Sequence, residues 1–221
     1  MVAVAVFLGR LDRSWSLERI LHFSSSKSLI NLLRPMRGLE KQLNNFLRAT
    51  PKLGRDIYIA RGAAVLGDVT LGDHSSVWYN AVLRGDINRI VVGHHTNIQD
   101  NCVVHLADEF PCLLGAYITV GHGAILHACT VGDEVLVGMG STVLDGVVIG
   151  DQSIIGARAL VTQNTQVPPG SLVLGAPAKI VRALTQEERA SLKGLAEKYV
   201  HIAAYCLKHG INASAPLGSN P

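Results

Sequence analysis

The sequence predicts an all-β parallel β-helix with flanking α-helices, and three observations support this prediction. The 221-residue chain contains 22 glycines but only 5% aromatic residues, so its apolar content is mostly small and branched. Aliphatic residues recur at every sixth position over long stretches. Helical periodicity is found only before and after these stretches. With 48% hydrophobic and 17% charged residues, the composition indicates one globular core with appended segments.

Residues 1–50 are predicted to be an N-terminal helical extension or leader. The chain opens with eight apolar residues, too few to span a bilayer, and no positive charge precedes them as in a signal peptide. Several arginines and a serine cluster are typical of a mitochondrial transit peptide, whereas Asp12 and Glu18 are not. A helix is predicted between Pro35, a favourable first-turn residue, and Pro51. Its apolar stripe comprises Met36, Leu39, Leu43, Phe46 and Leu47.

Residues 51–183 carry the six-residue repeat and are predicted to form the β-helix. This period matches neither the 3.6 residues of a helical turn nor the alternation of a sandwich strand. It is typical of triangular coils of three short strands, stacked roughly 4.8 Å apart. The repeat is unbroken at Val131, Val137, Val143, Ile149, Ile155, Val161, Val167 and Val173. Upstream it links Ile59, Val65, Leu71, Val77 and Leu83, then Val92, Ile98 and Val104, then Leu114, Val120 and Leu126.

Residues 184–210 are predicted to form a C-terminal helix that packs on the coil, followed by a tail over 211–221. Thr185 and Glu188 have the spacing of a capping box, and Gly210 is the expected C-cap. An apolar stripe at helical spacing would face the coil or a neighbouring subunit. It comprises Leu192, Leu195, Ala196, Tyr199, Ile202, Ala203 and Cys206.

Charge and cysteine content exclude several function classes. A net charge of +3 and a pI near 8.7, without a basic stripe, do not favour nucleic-acid binding. The four cysteines form no disulfide framework or zinc-ribbon pattern, which favours a reducing compartment. We therefore expect a cytoplasmic protein, with mitochondrial localisation as the alternative.

The repeat predicts a register for the polar residues only if two breaks are accommodated. We expect residues 86–91 and 106–113 to be loops that bulge from corners while the coil continues. Leu83, Val104 and Leu126 would then lie on one face of successive coils, because three hexads make one turn.

Two histidines follow this aliphatic column and lie one above the other in the expected register. Arg84, His105 and His127 would form one vertical column, with Gln99 and His122 on the preceding face. Two imidazoles one strand spacing apart can both reach a metal ion at roughly 2.0 Å. His122 lies across a corner, so it would join them only from an adjacent copy in a threefold assembly. The spacing therefore indicates a metal shared between subunits, and the alternative is a set of hydrogen-bonded surface histidines.

Three stretches together resemble the gamma-class carbonic anhydrases and their close homologues over about residues 51–190. They are AVLRGDINRIVVGHHTNIQDNCVVH, TVGHGAILHACTVGDEVLVGMGSTVLDGVV and VLGAPAKIVRALTQEE. The resemblance implies a left-handed hexapeptide-repeat β-helix and a homotrimer with three interfacial active sites. Each site would hold Zn²⁺, or Fe²⁺ in some members, and act on CO2 and bicarbonate.

The resemblance also implies the ligand set. His105 and His127 would come from one chain and His122 from the next. Three neutral imidazoles leave the ion its charge and an open position, so that bound water ionises near neutral pH and attacks CO2.

The RGD and NIQD motifs carry the remaining roles that the resemblance implies. Arg84 and Asp86 would pair across the subunit interface and brace it. Gln99 would hydrogen-bond the metal-bound hydroxide or the substrate, while Asn97 and Asp100 support that loop.

The chain departs from the archaeal prototype of the class at two places. Ile87 stands where the prototype has an acidic residue, and the loop after His105 is short. Asp108 and Glu109 in this loop could move the proton that hydration releases, or could be solvated loop charges. Tyr199 on the last helix is expected to approach the site.

Two other functions remain open from the sequence. The fold class and the GAPAK stretch fit an acyl-CoA-dependent transferase or thioesterase, which would use one histidine as a general base. The extra N-terminal segment fits a weakly active structural subunit of a membrane assembly, such as respiratory complex I.

Overall fold

The computed structural model describes residues 38–212, and the predictions for residues 1–37 and 213–221 concern residues outside this range. Helix α1 covers residues 38–46, within the helix expected between the two prolines. Helix α2 covers Gln186–Lys208. The strands between them are β1 Lys52–Leu53, β2 Tyr58–Ile59, β3 Ala64–Leu71, β4 Ser76–Val77, β5 Val82–Val92, β6 Asn97–Ile98, β7 Val103–His105, β8 Cys112–Leu114, β9 Thr119–Val120, β10 Ile125–His127, β11 Thr130–Val131, β12 Leu136–Val137, β13 Thr142–Val143, β14 Val148–Ile149, β15 Ile154–Ile155, β16 Leu160–Val161, β17 Gln166–Val167, β18 Ser171–Gly175 and β19 Ala178–Ala183.

The strands form two sheets of a parallel β-solenoid, as the repeat predicts. One sheet has eleven strands, with β16-β13-β10-β7-β5-β8-β11-β14-β17 as its path, β3 attached to β5 and β1 attached to β3. The other runs β19-β18-β15-β12-β9-β6-β4-β2. Strand partners come from successive coils, so the repeat aliphatics stack inside. One such stack pairs Ile59, Val77, Ile98, Val120, Val137, Ile155 and Val173 in order, each no more than 2% exposed.

One corner of the solenoid is built from residues with left-handed backbone conformations. Each of them from His74 onwards donates its N–H to a carbonyl of the preceding coil; His95, for example, donates to Asp73 at 2.9 Å. These bonds satisfy backbone groups that a turn would otherwise leave unpaired. The corner residues with φ between 52° and 60° are Asp56, His74, His95, Tyr117, Glu134 and Gln152.

The expected loop at 86–91 is wrong, because β5 runs through it without a break. Strand β3 accompanies β5 around the corner, and a register shift between Gly67 and Val69 absorbs the extra residues of β5. The strand therefore continues through the expected break as a bulge, in which residues 86–89 have no register partner on β3. The second expected break contains a loop only up to Pro111, because β8 begins at Cys112.

Helix α2 packs on the coil as predicted and begins with the predicted capping box. The Thr185 hydroxyl accepts from the Glu188 N–H, and the Glu188 carboxylate accepts from the Thr185 N–H. The C-cap is His209 rather than Gly210, which follows it with a φ of +62°. The helix buries Leu192, Ala196, Ala203 and Cys206, while Ile202 of the predicted stripe is exposed.

The eight-stranded sheet ends in a hairpin. Strand β19 pairs antiparallel with β18, in contrast to the parallel pairs within the coils. The peptide bond between Ala176 and Pro177 in the turn is cis. Ile180 and Val181 on β19 are about half exposed. Across residues 38–212, no helix combines the length and apolar character needed to cross a bilayer.

Candidate metal centre

Strands β7 and β10 place His105 and His127 side by side on neighbouring coils. Their Cα atoms are register partners, as the repeat predicts. His105 Nδ1 lies 3.2 Å from His127 Nε2, and the ring centroids are 5.2 Å apart. The column expected from the sequence is therefore confirmed for these two imidazoles.

A carboxylate contacts the opposite nitrogen of each ring. His105 Nε2 lies 2.9 Å from Asp86 Oδ1, and His127 Nδ1 lies 2.5 Å from Asp145 Oδ1. An ionised carboxylate only accepts hydrogen bonds, so it favours the proton on the nitrogen facing it. The nitrogens that face one another are then free to act as ligands.

This donor arrangement fits a divalent cation. Two nitrogens 3.2 Å apart, each about 2.0–2.1 Å from one ion, subtend an angle of roughly 100° there, close to tetrahedral. Carboxylates behind ligating imidazoles are the usual outer partners of such sites. The fit therefore rests on the facing nitrogens of His105 and His127, together with Asp86 and Asp145 behind them.

The structure places His122 apart from this pair, at the corner that follows β9. Its Nδ1 lies 2.7 Å from Asp100 Oδ2, so a third histidine has a carboxylate on one ring nitrogen. The His122 side chain is 47% exposed. Within the described part of one chain, no group of three or more His, Cys, Asp or Glu side chains could hold a metal ion.

Arg84 and Asp86 form an ion pair within the chain. Burial raises the pKa of Asp86, but the hydrogen bond with His105 and the charge of Arg84 outweigh burial and hold this pKa below its usual range. Burial also lowers the pKa of His105, against the effect of Asp86. The neutral imidazole, which is the form that ligates a metal, is therefore favoured.

The NIQD segment supplies a buried amide pair beside His122. Gln99 Nε2 donates to Asn97 Oδ1 at 3.1 Å, and Asn97 Nδ2 donates to the Ile118 carbonyl at 3.2 Å. Gln99 and His122 line a cavity of about 390 Å³ together with Tyr199. The structure therefore brings these three side chains to one space.

Tyr199 joins the coil through an aromatic contact. Its ring meets Trp78 edge-on with centroids 5.8 Å apart. Burial raises the pKa of Tyr199, Asp100 adds to this, and a hydrogen bond with Gln99 opposes it. The phenol is thus held against the NIQD segment.

The loop after His105 is tied to neighbouring elements. Gln42 on α1 donates from Nε2 to Asp108 Oδ1 at 3.0 Å. Asn88 Nδ2 donates to the carbonyls of Ala107 and Asp108. These contacts favour a structural role for Asp108.

Asp145 was not among the residues expected from the sequence. A signal was present, because Val143 continues the aliphatic column of Leu126 in the next coil. Asp145 lies two residues beyond Val143, in the sequence VLDG, and is the only carboxylate of that corner. Extending the column by one coil would have placed Asp145 near His127.

Comparison with known proteins places this geometry in a family. A family model described as bacterial transferase hexapeptide (six repeats) matches residues 128–163. A protein of Methanocaldococcus jannaschii named "Probable carbonic anhydrase" is 53% identical over 151 residues, covering 68% of this chain and 95% of that protein. Gamma carbonic anhydrase 2, mitochondrial, of Arabidopsis thaliana is 45% identical over 169 residues. The chain belongs to the gamma-class carbonic anhydrase family.

Membership of the gamma-class carbonic anhydrase family confirms the resemblance seen in the sequence. The match covers 74% of this chain and 61% of the length of the Arabidopsis relative. A crystal structure of a hexapeptide transferase family protein from Anaplasma phagocytophilum is also similar, with a TM-score of 0.67 and 43% identity. That similarity covers 69% of this chain and 90% of the other. The fold is therefore shared with proteins described as transferases.

Proposed function

We propose that the protein is a metal-dependent carbonic anhydrase that converts CO2 and water reversibly to bicarbonate. The observation that carries the proposal is the pair of facing nitrogens of His105 and His127, each imidazole backed by a carboxylate. In the proposed homotrimer, His122 of a neighbouring chain completes the ligand set. Zn²⁺ is the expected ion, with Fe²⁺ as the alternative.

The chemistry that such an ion supplies is acidification of water to a pKa of about 7, which makes hydroxide available at neutral pH. This chain contributes the conditions for that chemistry. Burial lowers the pKa of His105, which favours its neutral form. Asp86 and Asp145 hold the imidazoles in place.

The cavity lined by Gln99, His122 and Tyr199 has a surface suited to CO2. Its walls include Leu136, Ile154 and Leu195, which are apolar, whereas Gln99 provides an amide. An apolar wall suits an uncharged substrate, and one amide can orient the oxygen on which charge develops. We propose that Gln99 has this role and that Asn97 fixes it through their hydrogen bond. Arg84 and Asp86 would brace the interface.

Complementation between two inactive variants tests the shared site. His122→Ala and His127→Ala are each expected to lose CO2 hydration. When they are co-expressed in equal amounts, each mixed trimer should contain one site with three native histidines. Roughly a quarter of the wild-type activity should return if subunits mix at random. A site built within one chain would show no recovery, and elemental analysis of each sample would report its metal content.

An acyl-CoA-dependent transferase is the second candidate, favoured by the similar structure named as a hexapeptide transferase family protein. Assays with acetyl-CoA and small amines would detect it. Acyl transfer that survives His127→Ala, without CO2 hydration in the wild type, would favour this second function.

The Arabidopsis relatives named as mitochondrial support a proposal of mitochondrial localisation beside the cytoplasmic one. Fractionation of the source cells would separate the two. Recovery of the protein with a respiratory membrane complex would support the structural-subunit alternative, whereas a free trimer would favour an independent enzyme.

A further inference from the structure

We propose that Asp145 is a positioning residue that fixes the tautomer of His127 and thereby directs its Nε2 towards His105. This inference rests on the proposed function, because the expected effect of Asp145 on metal affinity requires the proposed metal centre. Its structural basis is the contact of 2.5 Å between Asp145 Oδ1 and His127 Nδ1.

The turn after β13 holds Asp145 in position. Thr142 and Val143 pair with β10, so the turn begins directly above the strand that carries His127. The Gly146 N–H then donates to the Ala128 carbonyl at 2.8 Å, which ties this turn to the residue after His127. Gly146 has a φ of +70°, and a Cβ there would lie 2.3 Å from Asn164 Oδ1. The backbone therefore delivers the carboxylate to a defined place.

The carboxylate decides which nitrogen carries the proton. Neutral imidazole has one N–H, and the acceptor beside Nδ1 favours the form protonated there. His127 Nε2 then keeps its lone pair towards His105 Nδ1, 3.2 Å away. Without Asp145, the proton can occupy Nε2, where it would block a ligand position.

The contact with Asp145 also restrains the imidazole ring of His127. His127 and Asp145 have side chains that are 33% and 30% exposed, so packing alone does not enclose them. The hydrogen bond is therefore the restraint that limits rotation of the imidazole about its side-chain torsions. Asp86 provides the equivalent contact for His105, and Asp145 completes the pair.

The test measures the tautomer directly in metal-free protein. Full-length chain labelled with ¹⁵N-histidine would be examined by long-range ¹H–¹⁵N NMR at about pH 8, where free imidazole is neutral. His127→Gln assigns the signals. We expect the Nδ1–H form in the wild type and a shift towards the Nε2–H form in Asp145→Leu. An unchanged tautomer in Asp145→Leu would overturn the proposal.

Metal affinity provides the second measurement. Competition with a chromophoric chelator should show Zn²⁺ or Co²⁺ binding weakened about 10–100-fold in Asp145→Asn. This substitution is nearly isosteric, so it covers the case in which Asp145→Leu fails to fold. The matched control is Asp56→Asn, because Asp56 lies 3.4 Å from His74 at a different corner. Affinity should be unchanged in this control.

The outcomes separate this inference from the proposed function. A wild type that binds no metal, but whose tautomer depends on Asp145, would refute the metal centre and retain the positioning role. The positioning role alone would be refuted by two results together. Wild type and Asp145→Asn would bind the metal with equal affinity, and the His127 tautomer would be the same in wild type and Asp145→Leu. Equal losses of metal affinity in Asp145→Asn and Asp56→Asn would show a general loss of structure. This result would also refute the positioning role.

Discussion

His105 Nδ1 lies 3.2 Å from His127 Nε2, across two neighbouring coils of the solenoid. Because both nitrogens belong to folded-state geometry, a metal that binds them should stabilise the fold. At a free Zn²⁺ concentration of one hundred times its Kd, the free energy of unfolding should rise by about 2.7 kcal/mol. Chelation should reverse the gain, and His127→Ala should abolish it. Denaturant unfolding with and without Zn²⁺ measures the effect, and equal gains in both proteins would contradict it.

Acidification should destabilise the corner that contains His95. Burial lowers the pKa of His95, and the nearby His94 and His74 lower it further. The unfolded chain therefore binds a proton at this residue more readily than the folded chain does. Stability is then fully present above the unfolded pKa of about 6.5 and is lost as pH falls towards the lower folded value.

The groups packed around His95 determine how much stability the protein loses on acidification. Tyr117 stacks on His95 with centroids 4.7 Å apart, Lys193 from α2 lies over the Tyr117 ring, and Glu197 opposes the pKa shift. His95→Gln should reduce the difference in unfolding free energy between pH 7.5 and pH 5.5, roughly the range over which a free imidazole titrates. The exposed His201→Gln is the control, and an equal reduction there would contradict the assignment.

Removal of the cap of α2 should weaken the C-terminal helix. Thr185→Ala is expected to lower the free energy of unfolding by about 1 kcal/mol, because the Glu188 N–H loses its acceptor. Thr185→Ser keeps the hydroxyl and should restore most of the loss. Thermal or denaturant unfolding measures both, and identical losses would show that the hydroxyl has no role.

Two glycine substitutions should change stability in opposite directions. A Cβ at Gly194 on α2 has no neighbour within 4 Å, so Gly194→Ala should add about 1 kcal/mol through helix propensity. A Cβ at Gly93 would lie 2.5 Å from the Gly115 carbonyl carbon, so Gly93→Ala should cost roughly 1–3 kcal/mol. Denaturant midpoints compare the two, and a stable Gly93→Ala would show that the coils can separate locally.

Tyr199 should affect turnover more than metal content. Tyr199→Phe removes the hydroxyl near Gln99 while it keeps the ring against Trp78. One lost hydrogen bond of about 1 kcal/mol should lower kcat by less than tenfold. Tyr205→Phe, on an exposed part of the same helix, is the matched control. Loss of metal from Tyr199→Phe would instead place the phenol in the ligand environment.

The sequence was sufficient for the parts of the fold that depend on side-chain periodicity. Leu83, Val104 and Leu126 align because inward side chains must stack, so the expected register of His105 and His127 is confirmed. The path of β5 was mispredicted, because pairing through backbone groups produces no periodic side-chain pattern in the sequence.

The site was predictable only where its residues belong to the repeat. Asp145 lies in a turn, where a six-residue count does not specify which atoms meet. The exposure of Ile202 depends on how α2 rotates against the coil, which Ala203 and Cys206 decide through contacts with Tyr58 and Trp78. Whether His122 joins the other two ligands stays a prediction, because it requires a second chain.

The antiparallel pairing of β19 with β18 limits how these molecules can associate. A stack of parallel coils could in principle continue from one molecule into the next, as strands do in a fibril. Here the last strand of the eight-stranded sheet runs opposite to the coils it covers. A second solenoid arriving end-on would meet a strand of the wrong direction, so this edge disfavours growth into filaments.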